Sequence, residues 1–286
     1  MTIREKILEK IKEVPAFPSN TTHILDKINN KESQILDIAK EIEMDPTLTA
    51  NILKLANSAY FAGPKKISTV REAVVLLGIN RIQQMIIASS IFPTVVKPLR
   101  GYDLPAGELI KHLVGTAIAS ELLGKELEID IPPYTFTVGL LHDIGKIVLG
   151  TFVEIDAEPI LKKAYEEKLS FEKAEREILG IDHSEVGALL LQEWHFPNNL
   201  VQPILYHHDP DNAPEEHRLV TDFVHIASNV CLECGIGSGI DGLNYSNNIN
   251  SIERLNIDMQ VVEIVLSKLI GEIDSFMGNL KSGDIA

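Results

Sequence analysis

At 286 residues, 45% hydrophobic and 23% charged, the chain has the make-up of a globular protein, long enough for one large domain or two smaller ones. No stretch approaches the roughly 18 uninterrupted apolar residues of a membrane span, and Met1–Val14 carries charge in place of a leader's apolar core, so a cytoplasmic protein without membrane contact is expected. A net charge of −15 argues against nucleic acid as a partner, and two cysteines, Cys231 and Cys234, do not make a disulfide framework.

Met1–Val14 reads as an amphipathic helix, followed by short helices over 19–31 and 33–43. Asp45 and Pro46 supply an N-cap and an N1 proline for 47–60, where Leu48, Ile52, Leu55 and Ala59 recur at helical spacing. Thr69-Val-Arg-Glu72 fits a capping box, and Gly78 ends that helix after Leu77. The next helix runs through Ile82, Met85, Ile86 and Ile91 towards Pro93, which completes an N-terminal all-α subdomain over 1–94. Pro98, Gly101 and Pro105 mark a connection to a second subdomain, 95–286. Its helices fall at about 106–124, 134–149, 170–179, 182–191, 198–208 and 217–234. Residues 235–251, rich in Gly, Asn and Ser, read as a flexible loop. A last helix over 257–280 carries the apolar stripe Ile257, Val261, Val265, Leu269, Ile273 and Phe276, expected to cover the core. Neither strand-like alternation nor an internal repeat is visible, so the fold class is all-α.

The chemistry concentrates in Gly139-Leu-Leu-His-Asp-Ile-Gly-Lys146, which puts three polar groups into an apolar helix. A buried, unpaired carboxylate is costly and needs a partner. On these residues alone, a helix-capping Asp143 beside a core His142 and a cation held by both are equally consistent. Other candidates tip the balance. Glu108 and His112 are four apart and share a helix face, His183 lies in a first helical turn, and His207-His208 ends another helix. Convergence of these donors inside one bundle would give more than four imidazole and carboxylate ligands, which suggests two divalent ions (Fe, Mn or Zn). Such a centre serves phosphoester hydrolysis, with Lys146 placed to hold a phosphate oxygen. His23, His195, His217 and His225 fit no metal spacing and are read as structural, and Cys231 and Cys234 as buried thiols.

Val14-Pro-Ala-Phe-Pro18, Glu43-Met-Asp-Pro-Thr-Leu48, Leu55-Ala-Asn-Ser-Ala-Tyr60 and Leu77-Gly78 resemble the signature of the HDOD domain family over about 14–215. These are bacterial signalling proteins related to the HD phosphohydrolases. The resemblance implies an N-terminal helical bundle packed on an HD-type helical bundle, and a protein partner in signalling. Many HDOD members lack the metal ligands. Here Glu108, His112, His142, Asp143, Lys146, His183, His207 and His208 are similar, position by position, to the pattern of the HD-GYP phosphodiesterases. That similarity implies metal ligation by Glu108 and the histidines, a bridging Asp143, and catalytic roles for Asp143 and Lys146. Two departures stand out. Ser228 occupies the place of the closing aspartate, and the acidic run 209–217 replaces the Gly-Tyr-Pro segment. A neutral hydroxyl weakens one metal position and an acidic loop disfavours a polyanionic substrate. The expected function is therefore a signalling module that retains a metal centre and acts mainly through protein contacts; the alternative is an active metal-dependent phosphohydrolase on a nucleotide or other phosphoester ligand.

Overall fold

The computed structural model describes residues 1–30, 33–63, 66–153, 155–242 and 245–281. Its helices are α1 (Ile3–Glu13), α2 (Ser19–Asn29), α3 (Ile35–Glu43), α4 (Pro46–Ala56), α5 (Val70–Leu77), α6 (Ile79–Val95), α7 (Glu108–Glu126), α8 (Thr135–Leu141), α9 (Gly145–Ile147), α10 (Ala157–Glu167), α11 (Phe171–Leu179), α12 (His183–Glu193), α13 (Asn198–Leu205), α14 (Glu215–Glu233), α15 (Ile249–Leu255) and α16 (Met259–Lys281). Among the described residues there is no strand, only an isolated bridge between Leu99 and Leu104. The fold is all-α.

Two compact units emerge, one of Met1–Pro15 with Thr94–Leu269 and the other of Ala16–Pro93 with Ile270–Ala286. The expected halves, 1–94 and 95–286, part from these units at both chain ends. α1 joins the larger unit because Arg4 donates to the Gly180 carbonyl and pairs with Glu185, each at 2.6 Å, while Ile7 and Ile11 are buried. The end of α16 joins the smaller unit. There the Ser275 hydroxyl accepts from the Ala59 amide at 2.7 Å, and the Phe276 ring meets Tyr60 edge-on at 6.4 Å.

The smaller unit follows its capping chemistry. Asp45 accepts from the Leu48 amide at 3.0 Å to start α4. Thr69 accepts from the Glu72 amide at 3.1 Å, and Glu72 reaches back to the Ser68 amide at 2.9 Å, one residue earlier than a capping box.

In the larger unit α7 is buried almost all round and packs against α8 and α14, the position a helix without a polar face takes. The helix expected over 134–149 is broken at the His-Asp dipeptide. Amide bonds from Ile144 to Leu141 O, Lys146 to Asp143 O and Ile147 to Ile144 O, at 3.0–3.1 Å, close tighter turns there. Gly145 explains the break. Its α-carbon lies so close to α12 that a β-carbon would stand 2.0 Å from His183 O and 2.6 Å from Gly187 N. Gly145→Ala is accordingly expected to cost about 3 kcal/mol or more, read as a lower urea midpoint. A midpoint equal to wild type would show that the two segments separate freely.

Three further expectations are corrected. α10 has no counterpart in the sequence reading, since its apolar positions are few. The described residues of 235–251 are not a loose loop. Gly237, at φ +66°, passes against Glu108 O and His112; Gly239 lies against Tyr102 O; and α15 begins at Ile249. Of the two thiols only Cys231 is buried, its pKa pushed up to about 12 by that burial, whereas Cys234 is exposed.

Candidate metal centre

Helix ends and turns deliver the donors to one point inside the larger unit. His112 projects from α7, His142 and Asp143 from the turn after α8, and His183 from the first turn of α12, where Asp182 caps the helix by accepting from the Glu185 amide at 2.9 Å. His207 and His208 follow α13, which ends at Leu205 instead of continuing to 208. Two groups result, one of His112, His142 and Asp143, the other of Asp143, His183, His207 and His208. Asp143 belongs to both. Its Oδ2 lies 3.6 Å from His112 Nε2 and 3.6 Å from His142 Nε2, while Oδ1 lies 3.3 Å from His183 Nε2 and 3.6 Å from His207 Nε2.

The tautomers follow from the outer partners. His112 Nδ1 faces Ile236 O at 3.2 Å, His142 Nδ1 faces Gly139 O at 2.7 Å, and His207 Nδ1 faces Ile204 O at 2.7 Å. A carbonyl only accepts, so each Nδ1 carries the proton and each Nε2 turns a lone pair inward. His112 Nε2 and His142 Nε2 then stand 3.2 Å apart, with the Ser228 hydroxyl 3.3 Å from each. Burial lowers the pKa of His112 to about 4 and takes His142 and His208 well below the usual histidine range, so all three are neutral near pH 7. His207 Nε2 and Asp143 Oδ1 are buried with no hydrogen-bond partner. Convergent imidazoles around a buried orphan carboxylate oxygen fit a divalent cation, and Nδ1 gripped by a carbonyl is the usual support of a metal-bound histidine.

Four placements matter for function. Ser228 Oγ, on α14, lies 3.3 Å from both His112 Nε2 and His142 Nε2, where a carboxylate would complete the first group. Glu108 joins neither group; it is half-buried at the start of α7, a turn before His112. Lys146 Nζ is 2.7 Å from Asp143 Oδ2 and 2.7 Å from Asp241 Oδ2, buried between them. Tyr245 donates to Asp241 Oδ2 at 2.8 Å, and its ring stacks on His208 with centroids 4.7 Å apart. Burial works against the Asp143 charge, but the Lys146 ammonium outweighs it and holds the carboxyl well below its usual range.

Sequence reasoning missed Asp241, Tyr245 and Glu175. Asp241 and Tyr245 sit in a segment without periodicity. Glu175 did leave a signal, an acid among the buried positions Phe171, Ala174 and Leu179 of α11. Its Oε2 takes His183 Nδ1 at 2.5 Å and the His183 amide at 3.1 Å, while Oε1 accepts from Tyr102. Burial opposes protonation of His183, yet Glu175 and Asp143 raise its pKa to about 10.

A cavity of about 870 Å³ borders His208, with Arg176, Asp182, Glu185, Asp209 and Asn248 in its wall. Of the acidic run, Asp209 reaches this cavity, whereas Asp211 is taken by Arg254 at 2.6 Å and by Asn248 at 2.9 Å.

A family model for the HDOD domain matches residues 14–210. An uncharacterized protein of Treponema pallidum (strain Nichols) is 28% identical over 232 residues, 78% of this chain and 43% of that protein. The chain thus spans less than half the length of that curated relative. A crystal structure from Shewanella amazonensis SB2B, described provisionally as a phosphohydrolase, superposes with a TM-score of 0.72 at 26% identity, covering 96% of this chain and 97% of that one. An HDOD domain protein of unknown function from Geobacter sulfurreducens gives 0.70 at 24% identity, with 97% of each chain covered. No described helix is long and apolar enough to cross a membrane.

Proposed function

This chain belongs to the HDOD domain family, and from that premise we propose that it is a signalling module whose metal centre organises the bundle, with output through contacts to a protein partner. The observation that carries this reading is the setting of Lys146. In a phosphohydrolase the ammonium must be free to meet a phosphate oxygen. Here two carboxylates hold it at 2.7 Å each, and the rings of Tyr102 and Tyr245 lie 5.7 and 5.2 Å from Nζ. Tyr245 also covers the His208 face of the donor set. A bound divalent cation would supply Lewis acidity and an activated water, but the ammonium that would meet a phosphate is already engaged by two carboxylates.

A second reading, metal-dependent hydrolysis of a nucleotide or other phosphoester, is favoured by one observation, the cavity beside His208 with Arg176 and Lys173 in its wall. One experiment separates the two. Metal content is measured for wild type and for His142→Ala/Asp143→Ala, and both are assayed on a phosphoester panel. The module reading expects metal in wild type, none in the variant, and no turnover by either. Turnover in wild type that vanishes in the variant favours the hydrolase. Metal-free wild type, or unchanged metal in the variant, sinks both.

A further inference from the structure

The two donor groups are unequal, and the inequality lies in how Asp143 divides its oxygens. Oδ2, the atom facing His112 and His142, is engaged by the Lys146 ammonium at 2.7 Å. Oδ1 faces His183 Nε2 at 3.3 Å and His207 Nε2 at 3.6 Å, with no ammonium against it. The first group therefore offers two imidazoles, an uncharged Ser228 hydroxyl and a carboxylate oxygen already bound to a cation. A divalent ion there would meet like-charge repulsion from Lys146 with no other anionic donor to offset it. The second group offers three imidazoles, of which His183 and His208 face each other through Nε2 at 2.7 Å, and a carboxylate oxygen that no ammonium engages.

Support and access point the same way. His183 is gripped through Nδ1 by the buried Glu175, an arrangement that raises the basicity of a metal-bound imidazole. His112, His142 and Ser228 are buried and line no described cavity, whereas His208 borders the cavity of about 870 Å³. The cavity gives the second group an entry path for an ion.

We propose that this protein holds a single divalent ion, on Asp143 Oδ1, His183, His207 and His208, and that the position between His112, His142 and Ser228 is closed to metal by Lys146 and the missing carboxylate. This deepens the reading above and rests on it, since it fixes the number and place of ions in the centre already inferred.

Titration of the chelator-treated chain with Co(II) tests it, with X-ray absorption counting the imidazoles around the bound ion. One tight equivalent with three imidazoles is expected. His207→Ala should weaken it by about 10-fold or more, and His112→Ala should change it far less. Ser228→Asp should add a second equivalent; a variant still binding one overturns the attribution of the closed position to Ser228. Two tight equivalents in wild type, one ion with two imidazoles, or loss in His112→Ala with retention in His207→Ala overturns the single-ion assignment and leaves the metal-holding module standing. No tight equivalent in folded wild type removes that reading and this inference together. Circular dichroism checks each variant's fold, and the imidazole count on wild type decides the matter where a variant fails to fold.

Discussion

Asp143→Asn is expected to strip the protein of bound metal and to lower its unfolding free energy by about 3 kcal/mol in the presence of chelator. Asp143 is common to both donor groups, so no rearrangement of the histidines replaces it. The amide keeps the size of the side chain and removes its charge, which isolates electrostatics from packing. The cost sits at the low end for breaking a buried pair because Lys146 keeps Asp241 at 2.7 Å. The pH dependence has a definite sign. The Lys146 ammonium overcomes burial to hold the folded carboxyl well below its usual range, so its stabilisation is complete well above the unfolded value of about 4 and is lost as pH falls towards the folded one. Metal analysis at pH 7 and urea unfolding at pH 7 and about pH 2.5 check both parts. A variant that keeps wild-type metal, or whose deficit is the same at both pH values, would show that the Asp143 charge is not what binds the centre together.

Much of this centre was legible because its donors sit where helices begin and end. Capping residues announce those places, so Asp182 fixed the start of α12 and, with it, His183 in the first turn. The spacing of His142, Asp143 and Lys146 was readable, but the break between them was not. It depends on the approach of Gly145 to α12, a contact between segments about 40 residues apart in the chain that no local pattern encodes. Glu108 shows the limit of helical spacing. Residues four apart share a face, but they are a full turn apart along the axis, and only His112 reaches the centre.

The least legible part is also the part that bears most on activity. The segment after α14 has the Gly, Asn and Ser content of a loose connection, yet it places Asp241 on Lys146 and Tyr245 on His208. Composition reports the backbone freedom that lets such a segment fold back; it says nothing of what the segment lands on. Ser228 was legible as a substitution only through the resemblance to the HD-GYP pattern, and α14 places its hydroxyl 3.3 Å from His112 and His142. Two changes, one visible in the sequence and one not, thus act on the same side of Asp143.

Lys146→Met is the sharpest test of that arrangement. The substitution leaves Asp143 and Asp241 as buried carboxylates without their shared cation. The metal-free protein should lose about 3–5 kcal/mol, a fall in Tm of roughly 10 °C for a unit of this size. A divalent ion restores a counter-charge to Asp143 alone, so added metal should recover part of the loss and raise Tm more in the variant than in wild type. Metal affinity should also increase, because the ammonium 2.7 Å from Asp143 Oδ2 no longer repels the ion. These effects separate competition from scaffolding. A lysine that only ties α9 to Asp241 would give the same Tm deficit with and without metal, and an unchanged affinity. Thermal melts of both proteins across a Co(II) series distinguish the outcomes, and equal metal-induced shifts would refute the idea that Lys146 and the metal compete for one carboxylate.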